Sequence, residues 1–78
     1  MQKTHIVKIL PQYFDYVEKR IKNAEVRLND RNYLTWDWLI LKEWSEGEYT
    51  GRYCVRQIRG VFPLDSIGFN CWVLLCLK

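Results

Sequence analysis

The chain contains no long hydrophobic run and no recognisable leader segment. Its longest apolar stretch, Cys71–Leu77, is far shorter than the roughly 20 residues that a membrane-spanning helix needs. The N-terminus has one lysine followed by alternating apolar residues, which is not the pattern of a signal peptide. These absences predict a cytoplasmic protein without a membrane partner.

Histidine and cysteine are too scarce to indicate a metal centre. His5 is the single histidine, and the three cysteines (Cys54, Cys71 and Cys76) are odd in number and lack C-x-x-C spacing. We therefore predict reduced, mostly buried thiols, no metal ligands and no cofactor. His5 is expected at a strand edge or on the surface.

Repeats, low-complexity tracts and linkers are also absent, so residues 1–78 are predicted to form a single domain. A chain of this length buries roughly 60% of its unfolded surface. Four tryptophans and five tyrosines help so small a core, because each large aromatic side chain buries ~150–250 Å². The net charge of +3 permits nucleic acid as a partner without requiring it.

Hydrophobic periodicity predicts the element order β-α-β-β-β-β. A first strand covers Thr4–Leu10, and Pro11 suits the first position of a helix with an apolar stripe. Four further strands are predicted at residues 23–29, 37–44, 52–61 and 70–77. Gly60 marks a predicted bulge. The pattern belongs to the α+β class, mainly β. It favours a small closed or nearly closed five-stranded β-barrel with one covering helix, because closure removes free edges.

The strand predicted at residues 23–29 alternates strictly between apolar and polar side chains, which is typical of a strand buried on one face. The apolar set, expected to face the core, is Ala24, Val26 and Leu28. The other face carries Glu25 and Arg27, with Lys22 just ahead of them. Ordinary solvated strand faces favour β-branched residues, so this charged face invites a functional interpretation.

The guanidinium of Arg27 is a planar fork that fits a phosphate or a base edge, and Lys22 adds a mobile charge. Between them, Glu25 can orient the arginine or accept from a base amino group. Single-stranded RNA with splayed bases suits such a site. A surface ion pair worth at most about 1 kcal/mol explains the same residues equally well.

Residues 20–27 and 36–41 resemble two motifs of one family. The first span is similar to the G-x-K-x-x-E-x-R signature of the ASCH (activating signal cointegrator homology) domains, small β-barrels related to the PUA domain. The residues in register are Lys22, Glu25 and Arg27. Arg20 stands where the family usually has glycine. The second span resembles the G-D-x-L-x-L strand of the family, with Trp36 in place of its glycine.

This resemblance implies a PUA-like barrel whose motif lines a ligand cleft. RNA or a nucleotide is the expected partner. The candidate binding residues are Lys22, Asn23, Glu25, Arg27, Arg31 and Trp36. Arg31 follows the motif in a turn, and Trp36 either offers a stacking surface near the mouth of the cleft or narrows it.

An enzyme acting on a modified nucleoside or on RNA is the alternative. Some ASCH-like proteins are amidohydrolases of acetylated cytidine, and others are reported to cleave RNA. In the amidohydrolase pattern a threonine nucleophile stands where this chain has Glu25, so the hydroxyl is missing. We therefore predict a non-catalytic module and no catalytic residue.

A stripe of indoles on the third predicted strand suggests a third class, a protein-interaction module. One face of that strand carries Trp36, Trp38, Ile40 and Trp44. A bare stripe of this size is large for a monomer. Either the helix covers it, or it binds a partner, which makes a homodimer through Trp38, Ile40 and Trp44 an open alternative.

The remaining charged residues receive structural interpretations. Asp37 is expected to accept hydrogen bonds in a turn, and Glu43 to pair with a buried arginine. Arg52 and Arg56 share one strand face, where they either widen a basic surface or simply face solvent.

Overall fold

The order of secondary-structure elements follows the hydrophobic periodicity of the sequence. A computed structural model describes residues 2–78. Its elements are β1 (Thr4–Ile9), α1 (Pro11–Glu18), β2 (Ala24–Leu28), β3 (Trp38–Ser45), β4 (Glu48–Pro63), a 3-10 turn (Asp65–Ile67) and β5 (Trp72–Leu77). The predicted order of one helix and five strands is confirmed. Among residues 2–78, no helix is long and apolar enough to cross a membrane.

The five strands form one sheet in the order β1-β3-β4-β5-β2. β1 and β3 are parallel, joined by a crossover through α1 and β2, and the other neighbours are antiparallel. β1 and β2 are the two end strands, and no backbone pairing joins them within the described residues, so the predicted barrel closure is not confirmed. A side chain spans the gap instead, because Arg27 on β2 donates a hydrogen bond of 2.5 Å to the carbonyl of Lys8 on β1.

The long strand β4 links the two halves of the sheet. Its first half pairs with β3 and its second half with β5. It begins at Glu48, before the predicted boundary, because Glu46 and Gly47 form a two-residue hairpin turn with φ of 52° and 83°. The predicted bulge at Gly60 is confirmed by a register shift between Ile58 and Gly60.

The hydrophobic core lies on the inner face of the sheet beneath α1. Its members are Val7, Ile9, Phe14, Val17, Tyr33, Leu39, Leu41, Ile58, Val73, Leu75 and Leu77. Phe14 and Val17 project from α1 and are fully buried. The helix therefore covers the inner face of β3 and not the tryptophan stripe, so the first of the two alternatives for that stripe is wrong. Trp38, on the outer face, is 41% exposed.

The orientation of β2 is the reverse of the prediction. Glu25 is buried, whereas Val26 and Leu28 are 56% and 44% exposed. The reason is the pairing with β5, which sets Glu25 opposite Leu75 and Arg27 opposite Val73. Directly paired residues project from the same face of a sheet, and Val73 and Leu75 belong to the core. The polar face of β2 is therefore turned inward.

His5 lies on β1, an end strand of the sheet, but it is buried, so the expectation of a surface position is wrong. Its Nε2 lies 2.8 Å from Oδ2 of Asp37, and its ring meets that of Tyr33 edge-on with 4.9 Å between centroids. Asp37 also accepts hydrogen bonds from the backbone N–H groups of Lys3 and Leu34, so its predicted role as a turn acceptor is confirmed. The cluster fastens β1 to the start of β3.

The three cysteines are free thiols. Cys54 and Cys76 are partly buried, but Cys71 is exposed at the start of β5. Burial, followed by the charge of Glu18, raises the pKa of the Cys54 thiol, so it is un-ionised at neutral pH. The prediction of mostly buried thiols is wrong for Cys71.

Candidate functional site

The three charged groups of the β2 motif converge on one carboxylate. Nζ of Lys22 lies 2.5 Å from Oε1 of Glu25, and a terminal nitrogen of Arg27 lies 3.3 Å from Oε2. The Glu25 side chain is 10% exposed, against 35% for Lys22 and 22% for Arg27. Each carboxylate oxygen thus holds one cation, and the two cations lie closer to solvent than the anion between them.

The segment between α1 and β2 positions Lys22. Arg20 has a φ of 61°, and the backbone N–H groups of Ile21 and Lys22 both donate to the carbonyl of Tyr16 at 2.9 Å. This reversal ends the helix and brings the lysine alongside the strand that follows. The ammonium group also donates to the carbonyl of Ala24. Lys22 is therefore fixed by backbone geometry as well as by Glu25.

Arg27 joins the two end strands of the sheet. Besides contacting Glu25, it donates to the Lys8 carbonyl. Its Nε is buried and has no hydrogen-bond partner among residues 2–78. An unsatisfied buried donor costs about 1–3 kcal/mol, so the resting contacts of this guanidinium leave some of its hydrogen-bonding capacity unused.

Two open hollows flank the motif. One, of about 550 Å³, is lined by Tyr13, Lys22, Asn23, Ala24, Glu25, Val26 and Leu74. The other, of about 270 Å³, is lined by Val26, Arg27, Leu28, Asp30, Arg31, Tyr33 and Trp72. The first contains the lysine and the carboxylate, and the second contains two arginines. Charged groups therefore lie at both ends of β2, among apolar side chains in the larger hollow.

The sequence profile of a family described as "Domain of unknown function (DUF3850)" matches residues 4–75. The chain belongs to this family. It is 47% identical over 66 residues to an "Uncharacterized 12.9 kDa protein in GpA 3'region" of Escherichia phage P2. The aligned part is 85% of this chain and 61% of that relative, so the chain spans less than two thirds of the relative's length.

The DUF3850 domain brings together five of the six predicted site residues. Lys22, Asn23 and Glu25 line the larger hollow, and Arg27 and Arg31 line the smaller one. Asn23 is committed to the structure, because its Oδ1 accepts a 2.7 Å hydrogen bond from Arg56. Arg31 is half exposed, with Nε 3.9 Å from Oδ1 of Asp30.

Trp36 does not line either hollow. It is 48% exposed, and its backbone lies against β4, where Trp36 N–H donates to the carbonyl of Ile58 and Gln57 Nε2 donates to the carbonyl of Trp36. Its φ is 75°, in the left-handed region that favours glycine. The structure thus separates Trp36 from the charged motif.

Arg56 has a structural role that the sequence interpretation missed. It is 3% exposed and holds the motif segment from behind. It donates to the carbonyl of Val17 at 2.7 Å, to a main-chain oxygen of Lys78 at 2.9 Å, and to Asn23. Burial, then repulsion from Arg20, lowers the pKa of Arg56. The sequence signal for its burial was the alternation along β4, because Cys54, Arg56 and Ile58 point to the same face of the strand and both neighbours are apolar.

Glu43 and Arg52 form a separate ion pair away from the motif. Nε and one terminal nitrogen of Arg52 contact the two Glu43 oxygens at 3.0 and 2.7 Å, and Thr50 donates to Glu43 at 2.6 Å. The hydrogen bonds from Arg52 and Thr50 lower the pKa of Glu43 to about 2. Glu43 therefore pairs with an arginine as predicted, but that arginine is half exposed rather than buried.

Proposed function

We propose that this DUF3850 chain is a non-catalytic RNA- or nucleotide-binding module of the ASCH type. The observation that carries the proposal is the convergence of Lys22 and Arg27 on the buried carboxylate of Glu25, beside two open hollows. A surface ion pair would account for one such contact, whereas here two cations share one largely buried carboxylate. Here one anion holds two cations in place, which lowers the entropy cost of presenting them to a ligand.

Two backbone conformations support the ASCH resemblance. Arg20 and Trp36 stand where the two family motifs have glycine, and their φ values are 61° and 75°. Glycine adopts positive φ readily, whereas other residues do so at a cost of about 1–3 kcal/mol. The backbone conformation at Arg20 and at Trp36 is therefore one that favours glycine, the residue of the family motifs. The bridge from Arg27 to Lys8 further suits a barrel-like fold, since it shows the two end strands within side-chain reach.

The charge balance suits a phosphate-bearing ligand of modest affinity. Across the two hollows, the three cations Lys22, Arg27 and Arg31 face the two carboxylates Glu25 and Asp30, which leaves a net charge of +1. The arginine forks provide geometry for a phosphate or a base edge. Binding of this kind weakens as salt rises, because counterions compete for the phosphates.

Binding rather than catalysis is proposed because of how Glu25 is engaged. It occupies the position of the threonine nucleophile in the amidohydrolase pattern, and each of its oxygens contacts a cation. A carboxylate held in this way orients its neighbours. It is poorly placed to attack a carbonyl carbon.

Fluorescence anisotropy with a labelled single-stranded hexaribonucleotide tests the proposal. We expect Arg27→Ala to weaken binding by tenfold or more, and Arg27→Lys to recover only part of it because the fork is lost. Arg59→Ala is the matched control, because Arg59 is an exposed arginine that lines neither hollow of the motif. Thermal melts followed by circular dichroism show whether each variant is folded.

Equal weakening by Arg27→Ala and Arg59→Ala would refute the proposal. Such a result would mean that the affinity comes from overall positive charge and that no defined site contributes. Turnover of acetylcytidine or of labelled RNA that is lost on Lys22→Ala would instead support the enzymatic alternative.

A further inference from the structure

A third hollow adjoins the two that flank the motif and is lined only by apolar side chains. It measures about 540 Å³, and its walls are Val26, Leu64, Ile67, Phe69, Trp72 and Leu74. It shares Val26 and Leu74 with the Lys22 hollow, and Val26 and Trp72 with the Arg31 hollow. The three hollows therefore meet around Val26, with charged groups in two of them and apolar walls in the third.

This apolar hollow exists because β2 turns its polar face inward. Val26 on β2 and Trp72 on β5 then project from the outer face of the sheet, where they are 56% and 40% exposed. The loop before β5 adds Ile67 and Phe69, which are 66% and 56% exposed. Four large apolar side chains thus meet solvent on one patch, an arrangement that marks an interaction surface on a soluble domain.

Internal hydrogen bonds hold the loop that forms one wall of the hollow. The N–H groups of Ile67 and Phe69 both donate to the carbonyl of Leu64, at 3.2 and 3.1 Å. Oδ1 of Asp65 accepts from the N–H of Cys71 at 3.1 Å, and Gly68 turns the chain with a φ of 92°. The aromatic wall is therefore built before any ligand arrives, which reduces the ordering cost of binding.

We propose that the apolar hollow binds a base of single-stranded RNA, with the flanking phosphates reaching Lys22 on one side and Arg31 on the other. The proposal rests on the proposed function and names its ligand more narrowly. An occupant that uses all three hollows would place a flat apolar body against Phe69 and Trp72 and acceptor oxygens against Lys22 and Arg31. A nucleotide chain has that combination, and the rings of Phe69 and Trp72 supply stacking surfaces that accept any base.

The same geometry selects against duplex RNA. Bases inside a duplex are already stacked and paired, so they cannot enter the hollow without being pulled out of the helix. A single strand loses much less when one base leaves its neighbours. We therefore expect the protein to bind a single-stranded hexamer and to bind the matching duplex much more weakly.

Labelled hexaadenylate, compared with the same hexamer carrying abasic riboses at its central positions, tests the stacking step. The two probes have equal phosphate charge and differ only in bases. Since one stacked base contributes roughly a 5- to 150-fold gain in affinity, we expect the abasic probe to bind that much more weakly. Equal affinity for the two probes would overturn the inference.

Phe69→Ala locates the effect in the apolar hollow. We expect it to weaken hexaadenylate binding by at least fivefold and to leave the abasic probe unaffected, with Phe69→Leu as a second variant that keeps apolar volume but removes the ring. Tyr53→Ala is the matched control, because Tyr53 is 58% exposed and lines none of the three hollows. Wild-type affinity in both Phe69 variants would overturn the inference.

Arg27→Ala distinguishes failure of the base-binding inference from failure of the proposed function. If Arg27→Ala weakens binding and Phe69→Ala does not, the RNA site stands and only the base subsite is wrong. If Phe69→Ala weakens binding and Arg27→Ala does not, the charged motif is not the site, whereas the base subsite is supported. Self-association that Phe69→Ala abolishes, in the absence of RNA, would mean that a second copy occupies the hollow, and it would overturn the inference.

Discussion

Replacing Arg56 by methionine removes a buried cation that ties three parts of the chain together. Its guanidinium donates to the carbonyl of Val17 at the end of α1, to Asn23 before β2, and to a main-chain oxygen of Lys78 after β5. The acceptors at Val17 and Asn23 are neutral groups. The interior position of the cation is therefore expensive, and its hydrogen bonds are necessary.

The size of the effect follows from these contacts. Without the guanidinium, Asn23 and Lys78 lose a donor, at about 1–3 kcal/mol each, whereas the Val17 carbonyl keeps the N–H of Arg20. The variant no longer has to desolvate a cation, which offsets part of this loss. We expect a net loss of about 2–4 kcal/mol. A domain of 78 residues has about 4–12 kcal/mol of stability, so this loss is about a sixth of the total or more.

Urea unfolding followed by tryptophan fluorescence measures this loss. With an m-value of about 1.5 kcal/mol/M, the midpoint should fall by about 1–3 M. Arg59→Met, on the same strand but exposed, should change stability by no more than about 0.5 kcal/mol. A loss below about 1 kcal/mol for Arg56→Met, or equal losses for the two variants, would refute the claim that Arg56 organises the motif segment.

Three further outcomes are expected. Burial raises the pKa of Asp37, but the hydrogen bonds from Lys3, His5 and Leu34 together outweigh it and leave that pKa below its usual 3.8. The stability that Asp37 contributes is therefore present above about pH 4 and is lost as the pH falls through the lowered pKa of Asp37. In urea unfolding, the free-energy difference between wild type and Asp37→Asn should therefore shrink towards pH 3. Arg20→Gly should raise stability by about 1 kcal/mol, because glycine relieves the positive φ; a lower melting temperature would contradict this. The outer face of β3 should associate with a second copy at high concentration, and Trp38→Lys should keep the chain monomeric in light scattering; an unchanged mass in wild type across the concentration series would count against it.

Local pattern was sufficient to predict the elements and their order, because helical and strand periods depend on residues a few positions apart. It was not sufficient for β2. Strict alternation shows that one face of the strand is buried. It does not show which face, because the charges of Lys22, Glu25 and Arg27 can pair with one another and so allow the polar face to be buried. The choice is made by β5, nearly fifty positions away, whose Val73 and Leu75 pull Arg27 and Glu25 to the inner side.

The interior polar contacts were beyond prediction for the same reason. His5 meets Asp37 across 32 positions, and Arg56 meets Val17 across 39. From the sequence alone, His5 or Arg56 could be exposed or buried. Which of the two occurs depends on whether a distant residue supplies a hydrogen-bond partner. The motif residues Lys22 and Glu25 lie three positions apart, so their contact follows from local geometry and could be predicted as a unit.

At Arg20 and Trp36 the backbone conformation, rather than the side chain, agrees with the ASCH motifs. Both depart from the glycine of the motif, yet both keep the positive φ that glycine would favour, so the local backbone is fixed by its surroundings. At Arg20 the surroundings are the hydrogen bonds to Tyr16, and at Trp36 they are the backbone contacts with β4. The bend at Arg20 presents Lys22, and the bend at Trp36 places Asp37 beside His5. The position of Lys22 and the buried His5–Asp37 pair therefore depend on the same kind of turn. Replacing either Arg20 or Trp36 by glycine should relieve the strain and leave both arrangements intact.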